Sequence, residues 1–445
     1  MKSIFKISGA KEPRIKKFGW FAGVFTPDIL TILGVIMYLR LGWVVGNAGF
    51  LGALLIILLG KSITICTGLS MSSITTNIRI GAGGAYSIIS KSLGVEAGGS
   101  IAIPLYIAQT LSAAFYIIGF SESWIRVFPS HPYLVVALTA GLVLLIISYI
   151  SADFAIKIQY LVMAVIGFSL ISFFASPAPP VENFVLVGKF EDDDFWKVFA
   201  IFFPAVTGIM AGANMSGDLK NPRKAIPVGT LSSIFISMAI YIYLAYVLSH
   251  IADPQELRSN QMIMVDKALW GPAVIAGMMG ATFSSALGSI LVAPRILQAL
   301  SEQKVVPFSN FFVKKAANNE PRNALMITGA VIMLALILGN LDYLAALITM
   351  FFLITYGMLN FVVFVQQSMK IISFRPTFKI PRFISFFGAV GCLFVMFLIN
   401  AMFSIVALII IMVIYVRLER KGLESKTGDI RGGMFLAIDE RFSRL

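Results

Sequence analysis

Twelve runs of apolar residues, each near the length that crosses a bilayer, take up most of the 445 residues, at approximately 21–47, 50–74, 96–121, 133–150, 154–176, 195–216, 226–250, 270–300, 323–340, 343–367, 383–400 and 402–417. A spanning helix needs roughly 20 mostly apolar residues. With 58% hydrophobic and only 13% charged residues, the surplus apolar surface has to be covered by lipid, which excludes a soluble globule. The expected fold class is an all-α polytopic membrane protein with 12 transmembrane helices.

The basic residues give the expected orientation, because positively charged short loops are retained in the cytoplasm. The N-terminal arm carries Lys2, Lys6, Lys11, Arg14, Lys16 and Lys17, and the even-to-odd loops add Arg79, Lys91, Lys220, Arg223, Lys224, Lys304, Lys314, Lys315, Arg322, Lys370, Arg375 and Arg382. The opposite loops are poor in cations, and one holds the acidic run Glu191, Asp192, Asp193 and Asp194. Both termini are therefore expected in the cytoplasm of a plasma-membrane protein. The net charge of +13 reflects topology and implies no nucleic-acid partner. Cys66 and Cys392 sit inside apolar runs, as buried thiols rather than a disulfide. No cleavable signal peptide is expected, since the arm before Gly19 is basic and polar. The expected organisation is an arm over 1–20, one membrane domain over 21–417 and a short cytoplasmic tail over 418–445.

Two runs are punctuated midway. The first reads TPDILTILGVIMYLRLGW around Gly34, and the sixth reads FFPAVTGIMAGANMSGD with Pro204, Gly208, Gly212 and Gly217. Interruptions at matching places in two successive five-helix halves point to a midplane site in a five-plus-five inverted repeat, here with discontinuous helices 1 and 6 and two extra helices. Glycine used only for close helix packing is the competing reading. Backbone unwound in the bilayer must line a cavity or hold a ligand, because each unsatisfied group costs several kcal/mol. Carbonyls at the end of one half-helix suit a cation, while free amides at the start of the next suit an anion.

The segments GVIMYLRLGWVVGNAG, TGLSMSSITTN, GAGGAY, AFYIIGFSES, FAIFFPAVTGIMAGANMSGDLKNPRKAIPVGT, SSALGSILVAPRILQAL, ITYGMLNFVVF and RPTFK resemble those of the cation-chloride cotransporters, within the amino acid-polyamine-organocation superfamily. The resemblance covers about residues 18–415. It implies a symporter of sodium, potassium and chloride, with inorganic ions and the bilayer as partners, no cofactor, and a homodimer allowed. It maps sodium to Leu30, Leu33, Ala281, Ser284 and Ser285. Potassium maps to the carbonyls of Thr31, Ile32 and Pro204 with the Thr207 and Tyr116 hydroxyls. Chloride maps to the amides of Gly34, Val35 and Ile36, and at a second position to Gly208, Ile209 and Met210 with the Tyr356 hydroxyl. The paired serines resemble the sodium-dependent branch, and Tyr116 resembles the potassium-carrying members. Arg40 and Glu122 become an extracellular gate pair, with a permanent structural ion pair as the alternative.

The family pattern breaks at several points. Thr31 stands where asparagine is usual, and Leu33 where the sodium-potassium-chloride branch commonly has tryptophan. Ala22 and Gln303 occupy the positions of the intracellular charged gate of animal members, so closure on that side is expected to use other contacts. Lys61 falls mid-span at a usually neutral position, where it either mimics a bound cation or points into a water-filled vestibule, the favoured reading. The family's large cytoplasmic C-terminal domain is expected to be absent. GAGGAY lacks the Gly-Lys-Ser/Thr and strand-helix context of a phosphate loop and reads as a membrane turn. His131 and His250 are isolated, no transition-metal cluster or nucleophile-base pair occurs, and an enzyme is not expected. The rivals are an amino-acid or amine transporter on the same scaffold, and a channel or non-transporting sensor.

Overall fold

The computed structural model describes residues 17–77, 83–150, 152–181, 184–191, 193–316, 320–338, 341–369 and 374–422. The cations before Lys17, Arg79, Asp192, Lys370, the opening of GAGGAY and the tail beyond Gly422 lie outside the described residues.

Helix is the only way for an unclosed chain to satisfy its backbone in hydrocarbon, and the chain follows it almost throughout. A π-turn at Phe21–Phe25 leads into α1 (Thr26–Ile32), followed by α2 (Val35–Asn77), α3 (Ala85–Leu93), α4 (Val95–Val127), α5 (Tyr133–Ile150) and α6 (Ala152–Phe174). Then come α7 (Phe195–Phe202) with a 3₁₀ turn at Phe203–Val206, α8 (Ala211–Asn214), α9 (Pro222–Ile251), α10 (Pro254–Ser259), α11 (Ile263–Asp266) and α12 (Gly271–Glu302). The series closes with α13 (Ser309–Phe312), α14 (Arg322–Leu338), α15 (Leu341–Ser368) and α16 (Arg382–Lys421). Among the described residues, eight helices are long and apolar enough to cross a membrane. Three shorter apolar stretches join them: Phe21–Ile32, Phe195–Val206 and Arg322–Leu338.

The two longest helices are each interrupted once. α2 has 43 residues, about twice what one crossing takes, and leaves helical geometry at Gly49 (φ +67°, ψ −179°). Only glycine tolerates that conformation readily. The irregular segment from residue 184 lies against the bend, where Gly188 N–H donates to the Ala48 carbonyl at 2.8 Å and Leu51 N–H to the Leu186 carbonyl at 2.8 Å. α16, with 40 residues, breaks at Asn400, whose Oδ1 accepts from Phe403 N–H at 2.9 Å.

α4 and α12 form the centre of the bundle, packed on each other, while α2 pairs with α9 and α15 with α16. Polarity is inverted relative to a soluble protein. Leu134, Val135, Ile171, Phe387 and Met402 are exposed, whereas Thr64, Thr67, Ser70, Ser72 and Ser73 of α2 are buried. Small hydroxylated residues let helices approach closely in lipid and satisfy their own hydroxyls on the preceding turn, as Thr67 does on the Ile63 carbonyl at 2.9 Å.

The favoured vestibule placement of Lys61 is wrong. Its side chain is fully buried between α2 and α9, its Nζ donates to Ser237 Oγ at 2.7 Å, and the same nitrogen lies 5.5 Å from the centre of the Tyr241 ring. The cause is close packing. A Cβ on Gly68 would come within 2.7 Å of Ile234, and one on Gly60 within 3.1 Å of Val206, so these glycines close the gap a vestibule would need.

Candidate ion site

Both expected interruptions are present. After Ile32 the chain leaves the helix at Leu33 (φ −79°, ψ 47°) and restarts at Val35. In an α-helix each carbonyl takes the amide four residues on. The break therefore releases the carbonyls of Leu30, Thr31, Ile32 and Leu33 and the amides of Gly34, Val35 and Ile36, while the Met37 amide turns to the Gly34 carbonyl at 3.2 Å. These are the groups assigned from the family resemblance to cations and to chloride. One interruption makes an acceptor cluster and a donor cluster a few residues apart, with the positive end of α2 behind the donors.

In the other broken segment, Thr207 is extended (φ −76°, ψ 178°) and Gly208 has φ +102°. Pro204 opens the 3₁₀ turn and cannot donate, and its carbonyl accepts from both the Thr207 amide at 3.2 Å and the Thr207 hydroxyl at 2.7 Å. A Cβ on Gly208 would sit 2.6 Å from Thr31 Cγ2, so the two breaks are in direct contact and only glycine fits between them.

The sodium candidates come together where α12 meets α1. Ser285 donates to the Leu30 carbonyl at 3.3 Å, and Ser284 Oγ is buried with no hydrogen-bond partner among the described residues. Leu30, Leu33 and Ala281 are buried with them. A buried unpaired hydroxyl beside helix-end carbonyls is the donor set a small hard cation takes.

Six of the nine potassium and second chloride candidates share one small cavity, which Ile32, Pro204 and Ile209 do not line. Thr31, Tyr116, Thr207, Gly208, Met210 and Tyr356 line a space of about 20 Å³, room for one or two water-sized occupants. Gly208 N–H donates to Tyr356 Oη at 3.1 Å, so two groups expected to share an anion already face each other. Gln109 and Ser112 also line the cavity and were missed by sequence reasoning. With Tyr116 they sit at helical spacing on one face of α4, a polar stripe in an apolar run that could have disclosed them.

Two further residues lock the breaks, and neither was assigned from sequence. Asp28, fully buried in α1, accepts from the Gly212 amide at 2.8 Å and from the Thr230 hydroxyl at 3.2 Å. An ionisable residue inside a span is a functional signal by default, so Asp28 was visible in principle. Tyr241 carried no such signal, because tyrosine in a span is usually an interfacial anchor. Its hydroxyl lies 2.8 Å from the Ile32 carbonyl and 3.2 Å from the Ala205 carbonyl, within reach of both breaks.

The expected outer pair, Arg40 of α2 and Glu122 of α4, lies at exposed positions. At the end bearing Phe18 the closure is elaborate: Phe18 N–H donates to the Asp218 carbonyl and Lys220 N–H to the Phe18 carbonyl, both at 2.9 Å. Arg295 of α12, nearly buried, bridges Asp218 at 2.8 Å and Glu320 at 3.0 Å. Of GAGGAY, Gly83 and Gly84 form a turn with positive φ that leads into α3, as expected of a membrane turn.

The family model described as amino acid permease matches residues 23–430. The chain is 32% identical to human solute carrier family 12 member 1 across 90% of its own length and 42% of that protein's. It is 32% identical to human solute carrier family 12 member 2, across 93% of its length and 39% of the relative's. To the bumetanide-sensitive sodium-(potassium)-chloride cotransporter of Manduca sexta it is 34% identical, across 90% and 44%. The chain thus spans about two fifths of the length of these relatives. The chain belongs to the amino acid permease family and, within that superfamily, to the cation-chloride cotransporters.

Proposed function

We propose that this protein is a secondary symporter that couples sodium, potassium and chloride by alternating access, electroneutrally with one sodium, one potassium and two chlorides. In this reading α2 and α16 each contribute to two passes across the membrane and the chain crosses twelve times, with the interrupted first and sixth spans equivalent in a five-plus-five inverted repeat. Both termini lie in the cytoplasm, consistent with the cation-rich loops.

The observation that carries the reading is the contact of the two breaks at Thr31 and Gly208, which places Thr31 of the first and Thr207, Gly208 and Met210 of the second around one small cavity. Sodium takes the Leu30 and Leu33 carbonyls with Ala281, Ser284 and Ser285. Potassium takes Thr31, Ile32 and Pro204 carbonyls with the Tyr116 and Thr207 hydroxyls. Chloride takes the amides of Gly34, Val35 and Ile36, and in the second position those of Gly208, Ile209 and Met210 with Tyr356. Cation and anion held side by side neutralise each other, which is what lets charge sit in a low-dielectric centre. In this reading Arg40 and Glu122 pair as the outer path shuts, and the hydrogen bonds and ion pairs around Phe18 and Arg295 seal the opposite end.

The rival amino-acid carrier draws support from the free amides at Gly34, which could receive a carboxylate. A cavity of about 20 Å³ favours single ions over it. Flux in proteoliposomes decides: chloride uptake should need sodium and potassium together and pass almost no net current. Amino-acid uptake indifferent to chloride would overturn the symporter, and large chloride currents would favour a channel.

A further inference from the structure

Of the four carbonyls released by the first break, Leu30 and Ile32 already have a protein donor. Ser285 points at the first from the sodium side, and Tyr241 of α9 points at the second. Tyr241 is fully buried, and its hydroxyl is also within reach of the Ala205 carbonyl, next to Pro204, on the other break. A phenol has one hydrogen to give, so a single O–H serves one carbonyl from each interrupted helix. Its ring is held from two sides. Phe202 lies edge-on at 5.6 Å, and the Lys61 amine stands 5.5 Å from the ring centre while it bonds Ser237 Oγ. Ser237 in turn sits against the Ser233 and Ile234 carbonyls of its own helix, at 2.6 and 3.0 Å. Among the described residues Lys61 forms no ion pair; Ser237 and the Tyr241 ring are its polar and aromatic contacts.

We propose that Tyr241, braced by Lys61, is a specificity-determining positioning residue: a resident hydrogen-bond donor that occupies the Ile32 and Ala205 carbonyls and so weakens the potassium position relative to the sodium position. The inference rests on the assignment of potassium to the Ile32 carbonyl made above. A hydroxyl hydrogen and a potassium ion seek the same lone pairs, and the positive end of the O–H dipole repels a cation placed beside it. The sodium position is spared, because its carbonyls at Leu30 and Leu33 and its hydroxyls at Ser284 and Ser285 are not among Tyr241's two acceptors. Lys61 acts in the same sense. A basic nitrogen at the ring face draws electron density from the phenol and holds it in register.

The test is uptake of rubidium, as the potassium probe, and of sodium into proteoliposomes containing the full chain, comparing wild type with Tyr241→Phe. Phenylalanine keeps the ring under Lys61 and deletes only the hydroxyl. The rubidium concentration for half-maximal uptake should fall about fivefold, the net worth of one hydrogen bond, with that for sodium unchanged. A purely structural hydroxyl would give no such gain, since its loss would weaken both cations. Rubidium half-saturation that is unchanged or raised, in a wild type that does carry rubidium with chloride, overturns this inference and leaves the symporter standing. A wild type whose chloride uptake ignores rubidium overturns the potassium assignment, and this inference with it. Should the phenylalanine variant not fold, Lys61→Met provides the second measurement: a smaller fall in rubidium half-saturation is expected, and no change overturns the proposal.

Discussion

Asp28 and Gly212 join the two interrupted segments: the carboxylate in the middle of α1 accepts the amide in the first turn of α8 at 2.8 Å. The same carboxylate takes the Thr230 hydroxyl, so three segments converge on one buried side chain. A carboxylate at the start of a helical turn satisfies an orphan amide that lipid could not.

Asp28→Ala should therefore strand both donors. About 2 kcal/mol of stability is at stake for a pair of buried hydrogen bonds, read as a lower melting temperature of the detergent-solubilised protein. Asp28→Asn keeps a carbonyl oxygen for Gly212 and should fall between alanine and wild type. Equal melting temperatures for all three proteins would show that the bridge does not hold the segments.

At the sodium position, Ser285→Ala removes the hydroxyl that reaches the Leu30 carbonyl at 3.3 Å. Sodium half-saturation should rise about fivefold to tenfold, with the rubidium value little altered. Sodium dependence identical to wild type would reject Ser285 as a ligand.

Gly208→Ala tests the contact of the breaks. The residue has φ +102°, and the added Cβ would meet Thr31 Cγ2 at 2.6 Å, so strain of about 1–3 kcal/mol combines with a clash against the site itself. Transport should drop at least about tenfold while the protein still inserts, as judged by purified yield and size-exclusion profile. Normal transport would mean that the breaks do not touch in the working state.

The buried ion group at the Phe18 end makes a fourth prediction. Arg295→Met leaves Asp218 and Glu320 without their cation, a loss of about 3–5 kcal/mol for a broken buried pair. Adding Asp218→Asn and Glu320→Gln should restore much of the melting temperature, because the stranded charges are then gone. No recovery in the triple variant would assign the loss to packing of the arginine stem.

Much of this architecture was legible beforehand. Apolar run length announced the helices, and glycine with proline marked both interruptions, at Gly34 and at Pro204–Gly208, because lipid admits only a few backbone solutions and punctuation residues limit them further. Local sequence also fixes which backbone groups one break releases, since helical bonding has a set four-residue reach. The serine pair at 284 and 285 and the tyrosines at 116 and 356 were identified through family resemblance.

Other features had no local signature. Nothing in the residues around Tyr241 says that its hydroxyl meets Ile32 and Ala205, which are 209 and 36 positions away. Lys61 was assigned to a wet vestibule because charge in a span usually finds water, yet glycines on its own helix bring α9 and the second break too close for any. Periodicity and composition thus determined that this chain would span a membrane as helices and where two of them would fail. Which distant side chains would satisfy the backbone released by those failures was decided only when α1, α9 and α12 packed together, because a hydrogen bond depends on distances of a few ångströms that sequence separation does not encode.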